Sequence, residues 1–151
     1  MKAIVGFLLI VWQLPQTLLG FAVYCFCRAF MSKRVLREGV VQSTSLYAFC
    51  LFLQSRRSAR YSAFSLGIFI FVFYDSAYPD SQRMQSVVDE VVKHEFGHSV
   101  QSMWLGWLYL IIIGIVSLTI TGISSRIAKR CYTEKWANSL VKDKNIKITY
   151  I

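Results

Sequence analysis

Two histidines four residues apart, His94 and His98, with Glu95 beside the first, form the most chemically pointed pattern in the chain. On a helix, positions i and i+4 share a face, so both imidazoles can reach one ion. Glu95, one position along, can address a water on that ion. A zinc ion lowers the pKa of such a water to about 7, and a carboxylate can take its proton and later deliver it to a departing amine. The chain has no other histidine. Val88, Val91 and Val92 form an apolar stripe leading into the pair, as a packed helix requires.

A hydrolytic zinc site uses three protein ligands and keeps one position open. Eight acidic residues are available, and Glu134 stands out within Cys131-Tyr132-Thr133-Glu134-Lys135-Trp136-Ala137-Asn138. His94-Glu95-Phe96-Gly97-His98 followed by this stretch resembles the gluzincin metallopeptidases, in which H-E-x-x-H precedes E-x-x-A-D on a later helix. The resemblance implies Glu134 as third ligand and Asn138 as the residue orienting a ligand histidine, with zinc as cofactor. Asn138 departs from the family's aspartate: an amide accepts from an imidazole N–H but lacks the charge that raises ligand basicity. Membrane gluzincins of the HtpX and CAAX-processing types are similar in style. Trp12-Gln13-Leu14-Pro15-Gln16, Ser65 to Val72, H-E-F-G-H and Y-T-E-K-W-A also resemble a group of small uncharacterised bacterial membrane proteins. The implied class is a zinc metallopeptidase acting on a peptide or a membrane-proximal protein segment. The alternative is a non-catalytic membrane adaptor or immunity-type factor with a structural or degenerate metal site.

Composition agrees with a membrane setting. Over 151 residues the hydrophobic fraction is 55%, net charge is +9, and only 17% of residues are charged. Apolar bulk with a basic excess suits a bilayer-associated protein flanked by lysine and arginine. No continuous basic stripe separates from the apolar segments, which argues against nucleic acid. Cys25, Cys27, Cys50 and Cys131 contain no C-x-x-C spacing and read as reduced thiols packed as small hydrophobes.

The elements that must position the site are expected as a single α+β membrane domain. Residues 3–27 form 25 uncharged positions, long enough for a transmembrane anchor helix. Pro15 kinks it, and Gln13 and Gln16 need polar partners, so that face packs on protein. Arg28, Lys33, Arg34 and Arg37 place its C-terminal end in the cytoplasm, at a cell membrane of inner-membrane type. Residues 45–74 read as a small β-hairpin, with Ser55 to Arg60 as its turn. The H-E-x-x-H helix covers 81–104 after a break at Tyr78 to Ser81, with Asp80 or Ser81, or Ser86 with Asp89, as caps. Tyr109 and Tyr132 read as interfacial aromatics.

One geometric constraint shapes the rest. Ser99 to Ser125 is 27 uncharged residues, and as one straight helix it would separate its ends by about 40 Å. His98 and Glu134 could not then share an ion. The segment over 105–125 is therefore expected to return as a re-entrant apolar hairpin, turning at Gly106, Gly114 or Gly122, with the ligand helix over 126–141. The site then lies near the cytoplasmic face, in contact with the bilayer.

Overall fold

The computed structural model describes residues 7–8, 11–43, 46–54, 62–74, 82–115, 119, 132–142 and 145–151, with side chains from residue 86 onward in the helix that begins at Gln82. A five-stranded mixed sheet is the frame. Its strands are β1 (Val35–Ser43), β2 (Leu46–Gln54), β3 (Ser62–Leu66), β4 (Phe69–Tyr74) and β5 (Lys147–Tyr150), in the order β3-β4-β2-β1-β5. β1 pairs antiparallel with β2 and with β5, β3 pairs antiparallel with β4, and β2 runs parallel to β4.

The single hairpin expected over 45–74 is corrected: that range holds three strands, of which β3 and β4 form the antiparallel pair while β2 runs parallel to β4 and takes β1 as its antiparallel partner. Its apolar runs do become β2, β3 and β4, while the turn at Ser55 to Arg60 lies outside the described residues. β1 was hidden by Arg37, Glu38 and Gln42, which gave it the look of a charged juxtamembrane segment. A strand tolerates such residues because its side chains alternate between faces. Here Val41 and Ser43 turn inward while Leu36 and Gln42 turn out.

Each face of the sheet carries its own core. On one, Val41, Ala48, Cys50, Phe52, Ile70 and Val72 meet Val88, Val92, Phe96 and Val100 of α2 (Gln82–Leu105). Those α2 residues recur every four positions, so they form one helical stripe. On the other face, Leu51, Leu53 and Phe71 meet Cys27, with Val23 and Tyr24 packed beside it, from α1 (Leu14–Phe30). Alternation along β2 sends Cys50 and Phe52 to one helix and Leu51 and Leu53 to the other.

Among the described residues no helix is long and apolar enough to cross a membrane, so the anchor expected over 3–27 is corrected. α1 has 17 residues and packs on protein through a small and polar stripe of Gln16, Thr17 and Gly20. Residues 11–12 are helical, the chain turns at Gln13, and helix resumes with Pro15 in the first turn, where its missing N–H is unneeded. Pro15 therefore marks a break between helical pieces and not a kink within one. Gln13 and Gln16 do find polar partners. The Gln16 amide donates to Ser102 Oγ at 3.1 Å and to the Gly106 carbonyl at 2.6 Å, and Ser102 donates to Gln13 Oε1 at 2.9 Å.

The re-entrant hairpin expected over 105–125 is corrected for residues 105–115, while positions 116–118 and 120–125 lie outside the described residues. After α2 the chain forms a 3-10 turn, Gly106–Leu108, and a π-helical stretch, Leu110–Ile115, with Tyr109 and Ile113 buried in the protein. Gly106 does turn the chain: its φ is +57°, and a β-carbon there would strike the Trp12 ring. Gly122 lies outside the described residues, as do Tyr78 to Ser81 and positions 126–131. Ser86 and Asp89 sit within α2, beyond its first turn, and Asp89 accepts from the Tyr150 hydroxyl at 2.6 Å. The ligand helix expected over 126–141 is described as α3 (Tyr132–Val141).

Candidate metal centre

α2 and α3 build the site by approaching closely. Gly97, between the two histidines, faces Ala137 of α3, and a β-carbon on Gly97 would stand 2.4 Å from the Ala137 carbonyl oxygen. The glycine of H-E-F-G-H is therefore what lets the second helix descend onto the first.

That approach brings together residues that the chain separates by almost 40 positions. His94 Nε2 lies 2.9 Å from one Glu134 carboxylate oxygen, and His98 Nε2 lies 3.5 Å from the other. The two imidazoles stand at 90°, with centroids 5.0 Å apart. One donor atom from each of His94, His98 and Glu134 falls within 4.8 Å of the others.

The far edge of each ring is fixed by an amide. His94 Nδ1 meets Asn138 Oδ1 at 2.8 Å, and His98 Nδ1 meets Gln101 Oε1 at 2.7 Å. An amide oxygen only accepts, so each Nδ1 carries the proton and, in the neutral ring, each Nε2 presents a lone pair inward. Two lone pairs and a carboxylate then converge with no donor among them, an arrangement that calls for a cation. Four ligands at zinc-like distances of about 2.1 Å are spaced by about 3.4 Å in a tetrahedron, near the 2.9 and 3.5 Å that separate the imidazole nitrogens from Glu134. The donor set fits zinc, with His94, His98 and Glu134 as the holding groups.

Without metal, protons supply the missing positive charge. The Glu134 bond raises His94 to about 9 despite partial burial. Burial opposes charge on His98, yet Glu134 and Glu95 together raise it above the usual imidazole value. Burial alone would raise Glu134, but bonds from His94 and His98 outweigh it and hold the carboxyl at about 2.

Glu95 is buried on the side of α2 that faces β3. Burial raises its carboxyl, while the two imidazoles and a bond from the Ser65 hydroxyl favour its charged form. Tyr109 shares that Ser65 hydroxyl, and burial with the nearby Glu95 raises its phenol. The reading of Tyr109 as an interfacial aromatic is corrected, since only 5% of it is exposed. Tyr132 is exposed and donates to the Ile112 carbonyl at 3.2 Å.

From sequence, Gln101 and Ser65 are given no role at the site, and Tyr109 is passed over as an interfacial aromatic. Gln101 lies three positions after His98, a helical spacing that could have suggested it. Ser65 and Tyr109 gave no such signal, because a strand and a turn bring them to Glu95. An open cleft of about 610 Å³ lined by Lys93, His94, Lys135, Asn138 and Lys142 borders the site. Glu95, His98 and Glu134 do not line it, so it meets the back of His94, where Asn138 is bound.

No family model, curated protein or solved structure matches this chain.

Proposed function

We propose that the chain is a zinc-dependent hydrolase of peptide bonds, acting on a peptide or a membrane-proximal protein segment. One observation carries the reading: two imidazole nitrogens from the stretch of α2 that also holds Glu95 converge within 4.8 Å on an oxygen of Glu134 from α3. Bound zinc would supply Lewis acidity and a water of lowered pKa. His94 and His98 are held with lone pairs inward by Asn138 and Gln101. Glu95 takes the proton of the attacking water and returns it to the leaving nitrogen. Its low solvent exposure keeps that proton from exchanging freely with bulk water, and Ser65 steadies the charged carboxylate between the two transfers.

The second reading, a non-catalytic factor with a structural metal site, is favoured by Asn138. A neutral amide leaves His94 less basic than a carboxylate partner would, which suits holding an ion more than activating a water on it. We place either activity at a membrane surface, with the basic residues after α1 toward the cytoplasm.

Metal analysis of the purified wild type beside Glu134→Ala tests the site. About one zinc per chain in the wild type, lost in the variant, is expected. Equal zinc in both would remove the third ligand and the reading with it. Turnover by wild type and not by zinc-loaded Glu95→Gln selects the hydrolase; biological activity retained in Glu95→Gln selects the structural reading.

A further inference from the structure

The first half of α1 is built inside out, whereas in its second half Cys27, Val23 and Tyr24 pack on the sheet in the ordinary way. Towards the protein the first half turns Gln16, Thr17 and Gly20, with Gln13 just before it. Outward the helix turns Leu14, Leu18, Leu19, Phe21, Phe26 and Phe30, all exposed, and no charge interrupts this face before Arg28. The end of α2 and the turns after it repeat part of this pattern, with Val100 and Met103 also buried there. Ser99, Gln101 and Ser102 are buried, while Trp104, Trp107, Ile111 and Ile115 are exposed. The two surfaces adjoin, since the Trp12 ring lies against Gly106.

Water selects the opposite arrangement. Burying these side chains would be favourable, so a face of this size is not left in water by chance. Polar groups turned inward to one another and bulky apolar groups turned outward is the distribution that hydrocarbon selects, because there polar atoms find partners only within the protein. A basic rim borders the face. Arg28 is exposed at the end of α1, where it pairs with Glu38 at 3.2 Å, and Lys33 and Arg34 follow in the next turn. That charge complements anionic headgroups.

We propose that this face is immersed in the hydrocarbon of a lipid bilayer, with Arg28, Lys33 and Arg34 at the headgroups. The immersion requires no helix to cross the bilayer, and it holds or fails independently of the hydrolytic reading.

The test uses the full chain, purified in detergent and mixed with vesicles of phosphatidylcholine and phosphatidylglycerol in equal parts. The chain floats with the vesicles, and brominated acyl chains lower its tryptophan emission about twofold, as expected of indoles at or below the headgroups. Replacing Trp12, Trp104 and Trp107 by Phe leaves Trp136, keeps flotation and abolishes most of the quenching. Emission that is unquenched in a chain left behind by the vesicles overturns the proposal. So does a dimer, stable without lipid or detergent, that shields the same three indoles from iodide, since a second copy would then be the occupant. Substituting Gln for Arg28, Lys33 and Arg34 weakens flotation on the anionic vesicles and not on phosphatidylcholine alone; unchanged flotation on both overturns the headgroup contact. Glu134→Ala serves as a control that floats like the wild type whether or not zinc binds.

Discussion

Gly97 and Ala137 touch backbone to backbone, with the missing β-carbon of Gly97 due to lie 2.4 Å from the Ala137 carbonyl oxygen. This contact sets the distance between the helix that carries both imidazoles and the helix that carries Glu134. Gly97→Val should push α3 outward, lowering stability by about 1–3 kcal/mol through overpacking and abolishing zinc binding. Urea unfolding and zinc titration report the two effects; a variant that binds zinc normally would show that the helices can part without opening the site.

Gln101 joins two parts of the site at once. Its oxygen accepts from His98 Nδ1 at 2.7 Å, and its nitrogen donates to the Thr133 carbonyl at 2.8 Å, next to Glu134. Gln101→Leu should weaken zinc affinity about 10–100-fold, the range seen when a ligand histidine loses its orienting partner. Competition with a chelator measures it. Unchanged affinity would mean that packing alone fixes His98.

Asn138→Asp tests the opposite change. A charged acceptor on His94 Nδ1 makes Nε2 more basic, so zinc affinity should rise by about tenfold. If the Asn138 amide is what holds activity down, turnover should rise with it. A fall in affinity would place Asn138 elsewhere than the bond at 2.8 Å indicates.

The pH dependence of the metal-free chain follows from the His94–Glu134 pair. His94 is raised from 6.5 to about 9, so its contribution to stability is complete below 6.5 and lost as pH rises through 9. Glu134 is lowered from 4.5 to about 2, so its contribution is complete above 4.5 and lost as pH falls through 2. The pair should therefore stabilise the fold most between 4.5 and 6.5. Zinc must displace the His94 proton, so its apparent affinity should climb toward pH 9 by up to about tenfold per unit. Urea midpoints in chelator and zinc titrations across pH check both slopes; a flat zinc profile would exclude His94 as a ligand.

Glu95→Gln in the zinc-loaded chain should lower kcat/KM about 10²–10⁴-fold with zinc content unchanged. Single-turnover cleavage beside metal analysis separates lost chemistry from lost metal.

The local part of this site was written in the chain. A spacing of four puts His94 and His98 on one helix face, and the resemblance of Glu134 to Asn138 to the gluzincin E-x-x-A-D pattern implied Glu134 as the third ligand. Partners for Gln13 and Gln16 were also foreseeable, since buried amides must bond. Tertiary structure decided what spacing along one helix cannot express: that Gly97 admits Ala137, that Gln101 links His98 to Thr133, and that Ser65 and Tyr109 reach Glu95 from a strand and a turn. It also decided the frame. Apolar length alone read residues 3–27 and 105–125 as membrane elements, because hydropathy counts side chains without saying which way they face. In the fold, Gln13 and Gln16 turn inward to bond Ser102 and the Gly106 carbonyl, and strand pairing draws the charged β1 into the sheet; only three-dimensional packing could assign either.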